Sequence, residues 1–210
     1  MKFLNNLRNK MYANMYNSMC DVTLNKRFLA YIMDWFVGYL FIFFIPIIGY
    51  SMLTGSTNTV EATLFLNYPG NYGLIYCIVA LIMGMVYYVV IPWKVWKGQT
   101  LGKRAFGFKI VQKDGSDITL WSLVKRQLIG VILIEGYLFA LYTVYQQLLY
   151  LVYGYNFTTV LSWLGIILST LSCILLVFVG NGRMMHDYIG NTNVIMDPNR
   201  KLNDRKDERI

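Results

Sequence analysis

Four long apolar stretches, at residues 28–53, 72–93, 128–153 and 160–179, are separated by polar connections. Each can cross a hydrocarbon core of about 30 Å as a helix, which takes roughly 20 mostly apolar residues. The second and fourth carry no charge, whereas the first carries Asp34 and the third Glu135. Pro46 and Gly49 predict a bend or an early end in the first. The pattern predicts an all-α integral membrane protein with four transmembrane helices.

The connections alternate in charge. All 19 Lys and Arg residues fall before the first stretch, between the second and third, or after the fourth. The connections near 54–71 and 154–159 hold none. Basic residues stay on the cytoplasmic side, so both termini and the long loop 94–127 are expected there. The predicted topology is multi-pass, N-in and C-in. Trp93, Trp96 and Trp121 near the loop, and Tyr150, Tyr153 and Tyr155 at the opposite end, suit the headgroup level.

Composition agrees: 56% of the chain is hydrophobic and only 14% charged, against about a quarter charged in a soluble domain. The net charge of +8 is explained by topology and by attraction to anionic headgroups of the bilayer, so no nucleic-acid partner is expected. Residues 1–26 are polar, with no apolar core or small-residue cleavage site, so no cleavable signal peptide is expected. They read as an N-terminal cytoplasmic segment, 27–196 as the membrane domain, and 197–210 as a charged, disordered tail. The three cysteines are scattered and His186 is the single histidine, so neither a disulfide framework nor a metal site is expected.

Loop 94–127 has a pattern of its own. Phe106, Phe108 and Ile110 alternate with smaller or polar residues, and Asp114-Gly115 is a hairpin signal. Two short strands are predicted, followed by an amphipathic segment near 118–126 lying in the interface. Upstream, "GQTLGK" at 98–103 is one residue too short between its glycines for a phosphate loop, and Arg104 stands where Ser or Thr would be needed. "RAFGFKIV" lacks the first glycine and the last aromatic of the RNA-recognition signature. In the fourth stretch Ser162, Gly165, Ser169 and Ser172 form a small-residue face on which another helix can close.

The segment "KRFLAYIMDWFVGYLF" at 26–41 also resembles "KRQLIGVILIEGYLF" at 125–139, with one residue of offset and unaligned acids. Chance similarity between aromatic-rich spans is the simpler account. A real repeat would make two helical hairpins of one orientation, related by an axis along the membrane normal.

Four segments, "KRFLAYIMD", "GQTLGKRAFGFKIVQKDG", "LVKRQ" and "RMMHDYIGNT", together resemble the successive signatures of the RDD family of bacterial membrane proteins. The resemblance covers about residues 24–195. It matches the family's arginine to Arg27 and one of its aspartates to Asp34, with Asp187 the best candidate for the other. It implies a polar cluster of Arg27, Asp34, Arg126, His186 and Asp187. It also implies a loop motif of Gly98, Gln99, Thr100, Gly102, Lys103, Gly107, Asp114 and Gly115. A transport role is commonly suggested for the family, so the resemblance implies fold and location better than substrate.

Asp34 poses the chemical question. An acid at the centre of a span costs about 2.5–3.5 kcal/mol on insertion scales. Asp34 stands roughly 10 Å of helix rise beyond Arg27, on the same helix face. Three partners are open to it: Arg126, the His186-Asp187 pair, and Glu135. Asp34 facing Glu135 would hold a shared proton or a cation, the site that a proton- or sodium-coupled carrier needs. Asp34, Arg27, Arg126 and Asp187 would otherwise form a structural clamp. The expected function is transport of a small solute or ion, with a homo-oligomer enclosing the path. The alternative is an interaction protein that transports nothing, an accessory subunit or an immunity factor. No catalytic residues or cofactor are expected.

Overall fold

The computed structural model describes residues 22–55, 64–135, 140–178 and 183–198, with only the backbone at 133–135 and 177. The expected N-terminal segment and C-terminal tail lie almost wholly outside the described residues. Three helices are long and apolar enough to cross a membrane: α1 (Leu24–Thr54), α2 (Tyr72–Val95) and, by its segment Thr158–Leu176, the fourth stretch. A short helix α3 (Leu101–Ala105) and strand β1 (Phe108–Gln112) follow α2. Helix α4 (Leu120–Val124) runs directly into α5 (Lys125–Glu135), and α6 (Ala140–Tyr153) completes the third stretch. Helix α7 (Thr158–Phe178), the short helix α8 (Met185–Gly190) and strand β2 (Thr192–Met196) end the described chain. Residues 136–139, where the third stretch would be continuous, lie outside the described residues.

Proline shapes both leading helices without breaking them. Pro46 has no amide hydrogen and crowds the carbonyl four residues earlier. The turns just before it, Leu40–Phe44, open to wide π geometry, and the helix then continues to Thr54. The expected end near Pro46 and Gly49 does not occur. Gly55, in the left-handed conformation, ends α1 instead. Around Pro92 the last ten residues of α2 are wide in the same way.

The burial pattern is inverted relative to a water-soluble protein. Phe28, Phe36, Ile82 and Trp163 are all more than half exposed, while Asp34, Arg126 and Asp187 are buried. Lipid solvates apolar side chains and offers polar groups nothing, so polar groups turn inward. The apolar core lies between α1, α2 and α6, on Ile42, Tyr76, Tyr87, Leu141 and Val144. The small-residue face of α7 is also internal: Gly165, Ser169 and Ser172 are buried. Gln146 on α6 donates to Ser162 at 3.2 Å.

The expected hairpin in loop 94–127 does not form. Asp114-Gly115 does make a tight turn: Gly115 N–H donates to Gln112 O, and Asp114 accepts from Ser116 N–H and Oγ at 2.9 and 2.7 Å. Those bonds hold the exposed Asp114 carboxyl below the usual carboxylate range. Residues 116–119 are not a strand. β1 pairs antiparallel with β2, Ile110 opposite Val194. A strand with one apolar face pairs wherever that face is best covered. β2 brings Val194, which packs with Phe108 and Ala30, and no local turn can supply this.

The same order of elements occurs twice. A first long stretch and a second are followed by a short helix, a residue with positive φ, and a strand. In the first half these are α1, α2, α3, Gly107 and β1; in the second α5–α6, α7, α8, Asn191 and β2. Each short helix packs on the first stretch of its own half, α3 on α1 and α8 on α5. Antiparallel pairing of equivalent strands is what a twofold axis between the halves produces. The resemblance between 26–41 and 125–139 thus coincides with a repeated architecture, which favours a repeat over chance.

Candidate functional site

The site gathers where the two short helices meet the starts of α1 and α5. It contains two ionic clusters with a small cavity between them.

The first cluster belongs to Asp34. Its side chain is buried on α1, and four donors converge on its two oxygens. Tyr87 Oη on α2 donates to Oδ1 at 2.8 Å, and the Gly102 amide to the same oxygen at 2.8 Å. Thr100 Oγ1 donates to Oδ2, and Lys103 Nζ reaches Oδ2 at 2.9 Å. Lys103 also donates to Thr100 Oγ1 at 3.0 Å. Tyr88 Oη donates to the Asp34 backbone carbonyl at 2.9 Å. Two lone pairs on each carboxylate oxygen match four donors.

"GQTLGK" thus does bind an anion with a helix start, although it is no nucleotide loop. Its ligand is a carboxylate of its own chain. Gly98 has φ of 78° and accepts the Ile110 amide hydrogen at 2.7 Å, which turns the chain out of α2 and back onto β1. Thr100 and Gly102 open α3, where free amides and the helix dipole favour negative charge. Gln99 Nε2 ties this turn to Phe108 O and Asp197 Oδ2 at 3.2 and 3.1 Å.

Gly102 is needed for the approach. A Cβ there would fall against the Ala30 carbonyl oxygen, far inside van der Waals distance, and 2.9 Å from the Asp34 carboxyl carbon. Gly102→Ala is therefore expected to push α3 off α1 and weaken the Gly102–Asp34 bond. Overpacking of this kind costs about 1–3 kcal/mol. Unfolding of the detergent-solubilised variant, followed by tryptophan fluorescence, would register it; an unchanged midpoint would contradict the close packing.

The second cluster belongs to Arg126 and Asp187. Arg126 Nη1 donates to Asp187 Oδ1 and, at 2.8 Å, to Thr192 Oγ1. Arg126 Nη2 lies 2.7 Å from His186 Nε2. A guanidinium has only donors, so this imidazole nitrogen accepts. Asp187 also caps α8: its Oδ2 accepts the Met184 amide hydrogen at 3.1 Å, which suits an acid in a first turn. Arg183 donates to the Asp187 and Thr192 carbonyls, both at 3.0 Å. Ser172 Oγ on α7 accepts the Met185 amide hydrogen at 2.9 Å. Burial by itself would push the Asp187 carboxyl up. Nearby positive charge, Arg126 foremost and His186 and Arg27 with it, and the Met184 amide outweigh it and hold it below the usual range.

The two clusters are mirror arrangements in charge. In the first half the carboxylate stands on the long helix and the cation, Lys103, on the short one. In the second the cation, Arg126, stands on the long helix and the carboxylate on the short one.

Two expectations about Asp34 change. Neither Arg126 nor the His186-Asp187 pair holds its carboxylate, because α8 packs on α5 and α3 takes the matching place on α1. The side chain of Glu135 lies outside the described residues. The five expected cluster residues do come together around one cavity of about 120 Å³, lined by Arg27, Asp34, Arg126, His186 and Asp187, and also by Lys103, Thr100, Tyr88 and Gln127. Arg27 also donates to Val22 O at 3.3 Å. Of the loop motif, Gly98, Gln99, Thr100, Gly102 and Lys103 build the first cluster. Gly107, with φ of 74°, leads into β1, and Asp114 and Gly115 form the remote, exposed turn. Tyr87, Tyr88, Arg183 and Thr192 carry site bonds that a linear reading did not single out. "YY" in an aromatic-rich span looks like packing, and Arg183 looks like one more inside-facing charge.

No curated protein and no solved structure matches the chain. The RDD family model matches residues 22–191, which takes in both clusters apart from Thr192, both short helices and β1. With its apolar helices and this match over most of its length, the chain belongs to the RDD family of membrane proteins.

Proposed function

We propose that this is a four-span protein of the bacterial inner membrane, with both termini cytoplasmic, that moves a small solute or ion across the bilayer through the cavity between its two clusters. The observation that carries this reading is the cavity itself. It joins Arg27, Asp34, Lys103, Arg126, His186 and Asp187 near the ends of apolar helices, and charge kept inside a membrane protein generally marks a pathway. Coupling to protons or sodium enters through Asp34. A cation reaching its carboxylate has to displace Lys103 and Thr100, and this releases α3 from α1. Binding and opening are thereby one event. A homo-oligomer widens the path that one small bundle can enclose. The reading includes no catalytic step.

One observation favours a second reading, a clamp in a protein that transports nothing. Donors within the chain already serve both carboxylates, four on Asp34 and three on Asp187. Vesicles containing the purified protein and a trapped pH-sensitive dye separate the two. An imposed sodium gradient is expected to drive a pH change that Asp34→Asn abolishes while the variant still folds. No pH change with the unaltered protein in either direction of the gradient would remove sodium–proton coupling. A stable protein partner in a mild-detergent pull-down would then support the second reading.

A further inference from the structure

The short helix α8 is held to α5 in two ways. Its backbone lies directly on the longer helix. A Cβ on Gly130 would stand 2.6 Å from His186 Cβ, and one on Gly190 2.8 Å from Arg126 Cβ. The polar fastening is Arg126, which donates to Asp187, Thr192 and His186. Two of these acceptors are fixed near neutrality. A hydroxyl keeps its proton, and the Asp187 carboxyl is held below the usual range. An imidazole is the side chain that ordinarily changes charge between about pH 5 and pH 8.

His186 Nε2 accepts only while it carries no proton. Arg126 Nη2 stands 2.7 Å from it and Asp187 Oδ2 3.8 Å. A proton on Nε2 sets two cationic donors face to face, and their bond is lost. The new N–H finds a carboxylate oxygen just beyond hydrogen-bond reach. That oxygen caps α8 through the Met184 amide. Protonation therefore draws the imidazole from Arg126 toward Asp187. It removes one of the three bonds through which Arg126 holds α8 and β2.

His186 lines the same cavity as Asp34 and Lys103, together with Arg27, Arg126 and Asp187. Arg183, on the segment leading into α8, holds the Asp187 and Thr192 carbonyls. α4 and β2 also pack on α8 and hold no ionisable residue. A cation on Asp34 and a proton on His186 each add a positive charge to one small cavity, so each disfavours the other.

We propose that His186 is a proton seat that competes with the cation seat at Asp34, so that the cavity holds one or the other. This rests on the cavity as an ion-coupled site and gives its two ions separate places. The cation frees α3 from α1, and the proton loosens α8 from α5. Nε2 takes up one proton and releases it when Arg126 returns, with no other covalent change.

His186 is the single histidine, so isotope-labelled histidine in the full chain, purified without a histidine tag, reports on it alone. Solid-state NMR in lipid vesicles is expected to show one unprotonated ring nitrogen at about pH 8 and two protonated ones at about pH 5. Replacing choline by sodium should move this titration to lower pH, and Asp34→Asn should remove the sodium effect. His186→Gln keeps an acceptor for Arg126 but takes no proton. It should retain a sodium-dependent rise in the thermal midpoint and lose the sodium-driven pH change in vesicles. A ring that stays in one protonation state, a titration indifferent to sodium, a sodium effect that persists in Asp34→Asn, or full exchange in His186→Gln would overturn the inference. A sodium-sensitive titration in a protein that drives no pH change would leave the competing seats standing and remove transport. Full exchange in His186→Gln would keep transport and remove His186.

Discussion

Asp34→Ala is expected to destabilise the protein by about 3–5 kcal/mol, the usual cost of removing one partner from a buried ion pair. The reason is what the substitution leaves behind. Tyr87, Thr100, the Gly102 amide and Lys103 all point at the vacated volume, and unsatisfied donors out of contact with water are costly. Lys103→Met should cost clearly less. The Lys103 side chain is 19% exposed against 4% for Asp34, and its removal leaves the carboxylate three donors. The double variant Asp34→Leu with Lys103→Met should recover much of the single loss, because a buried pair replaced by apolar groups of similar size is often nearly neutral. Denaturant or SDS unfolding of the three variants in micelles measures the order. Equal losses for Asp34→Ala and Lys103→Met would mean that the carboxylate is not the hub of the cluster.

Arg126→Met is the second large effect. It strands Asp187, whose side chain is 1% exposed, and removes the donor to Thr192. A loss of about 3–5 kcal/mol is expected. Arg126→Lys should rescue little. One ammonium cannot reach Asp187, Thr192 and His186 in the fork geometry that a planar guanidinium offers.

The pH dependence of this loss has a definite sign. The Asp187 carboxyl lies below its ordinary value in the folded protein. Its contribution is therefore fully present above the unfolded value of about 3.9 and fades as pH falls through the lower, folded value. The stability gap between the unaltered protein and Arg126→Met should be constant near neutrality and narrow in acid. A gap that widens in acid would contradict the assignment of Arg126 as the principal partner.

Much of this was legible along the chain. Apolar stretches predict helices because spanning a membrane demands length and hydropathy, and both are local. The limits of α2 and α7 fall within two residues of the apolar stretches that predicted them, 72–93 and 160–179. The motif residues Asp34, Gly102 and Lys103, and Arg126 with Asp187, could be named because ionisable groups and glycines in such settings need a reason.

The pairing could not be read. Asp34 meets residues 53 to 69 positions away, and Arg126 meets residues 60 to 66 away. Arg126, the His186-Asp187 pair and Glu135 all suit Asp34 in depth and charge, and neither property selects among them. "GQTLGK" as a linear motif points to an external phosphate and does not reveal a carboxylate ligand 66 to 69 positions away in its own chain. The hairpin fails for the same reason: Asp114-Gly115 makes its turn locally, yet the strand partner β2 lies 80 to 88 positions away, Gln112 opposite Thr192 and Phe108 opposite Met196.

Composition, hydropathy and the placement of charge are sums over neighbouring residues, and they were enough for a helical membrane protein with acids that require partners. Which donor meets which acid depends on how α3 and α8 fold back on α1 and α5. That docking is decided by close contacts such as Gly102 on Ala30 and by the pairing of β1 with β2, between residues with no neighbourhood in the chain. The docking converted a short glycine motif into the seat of Asp34 and left Arg126 for Asp187.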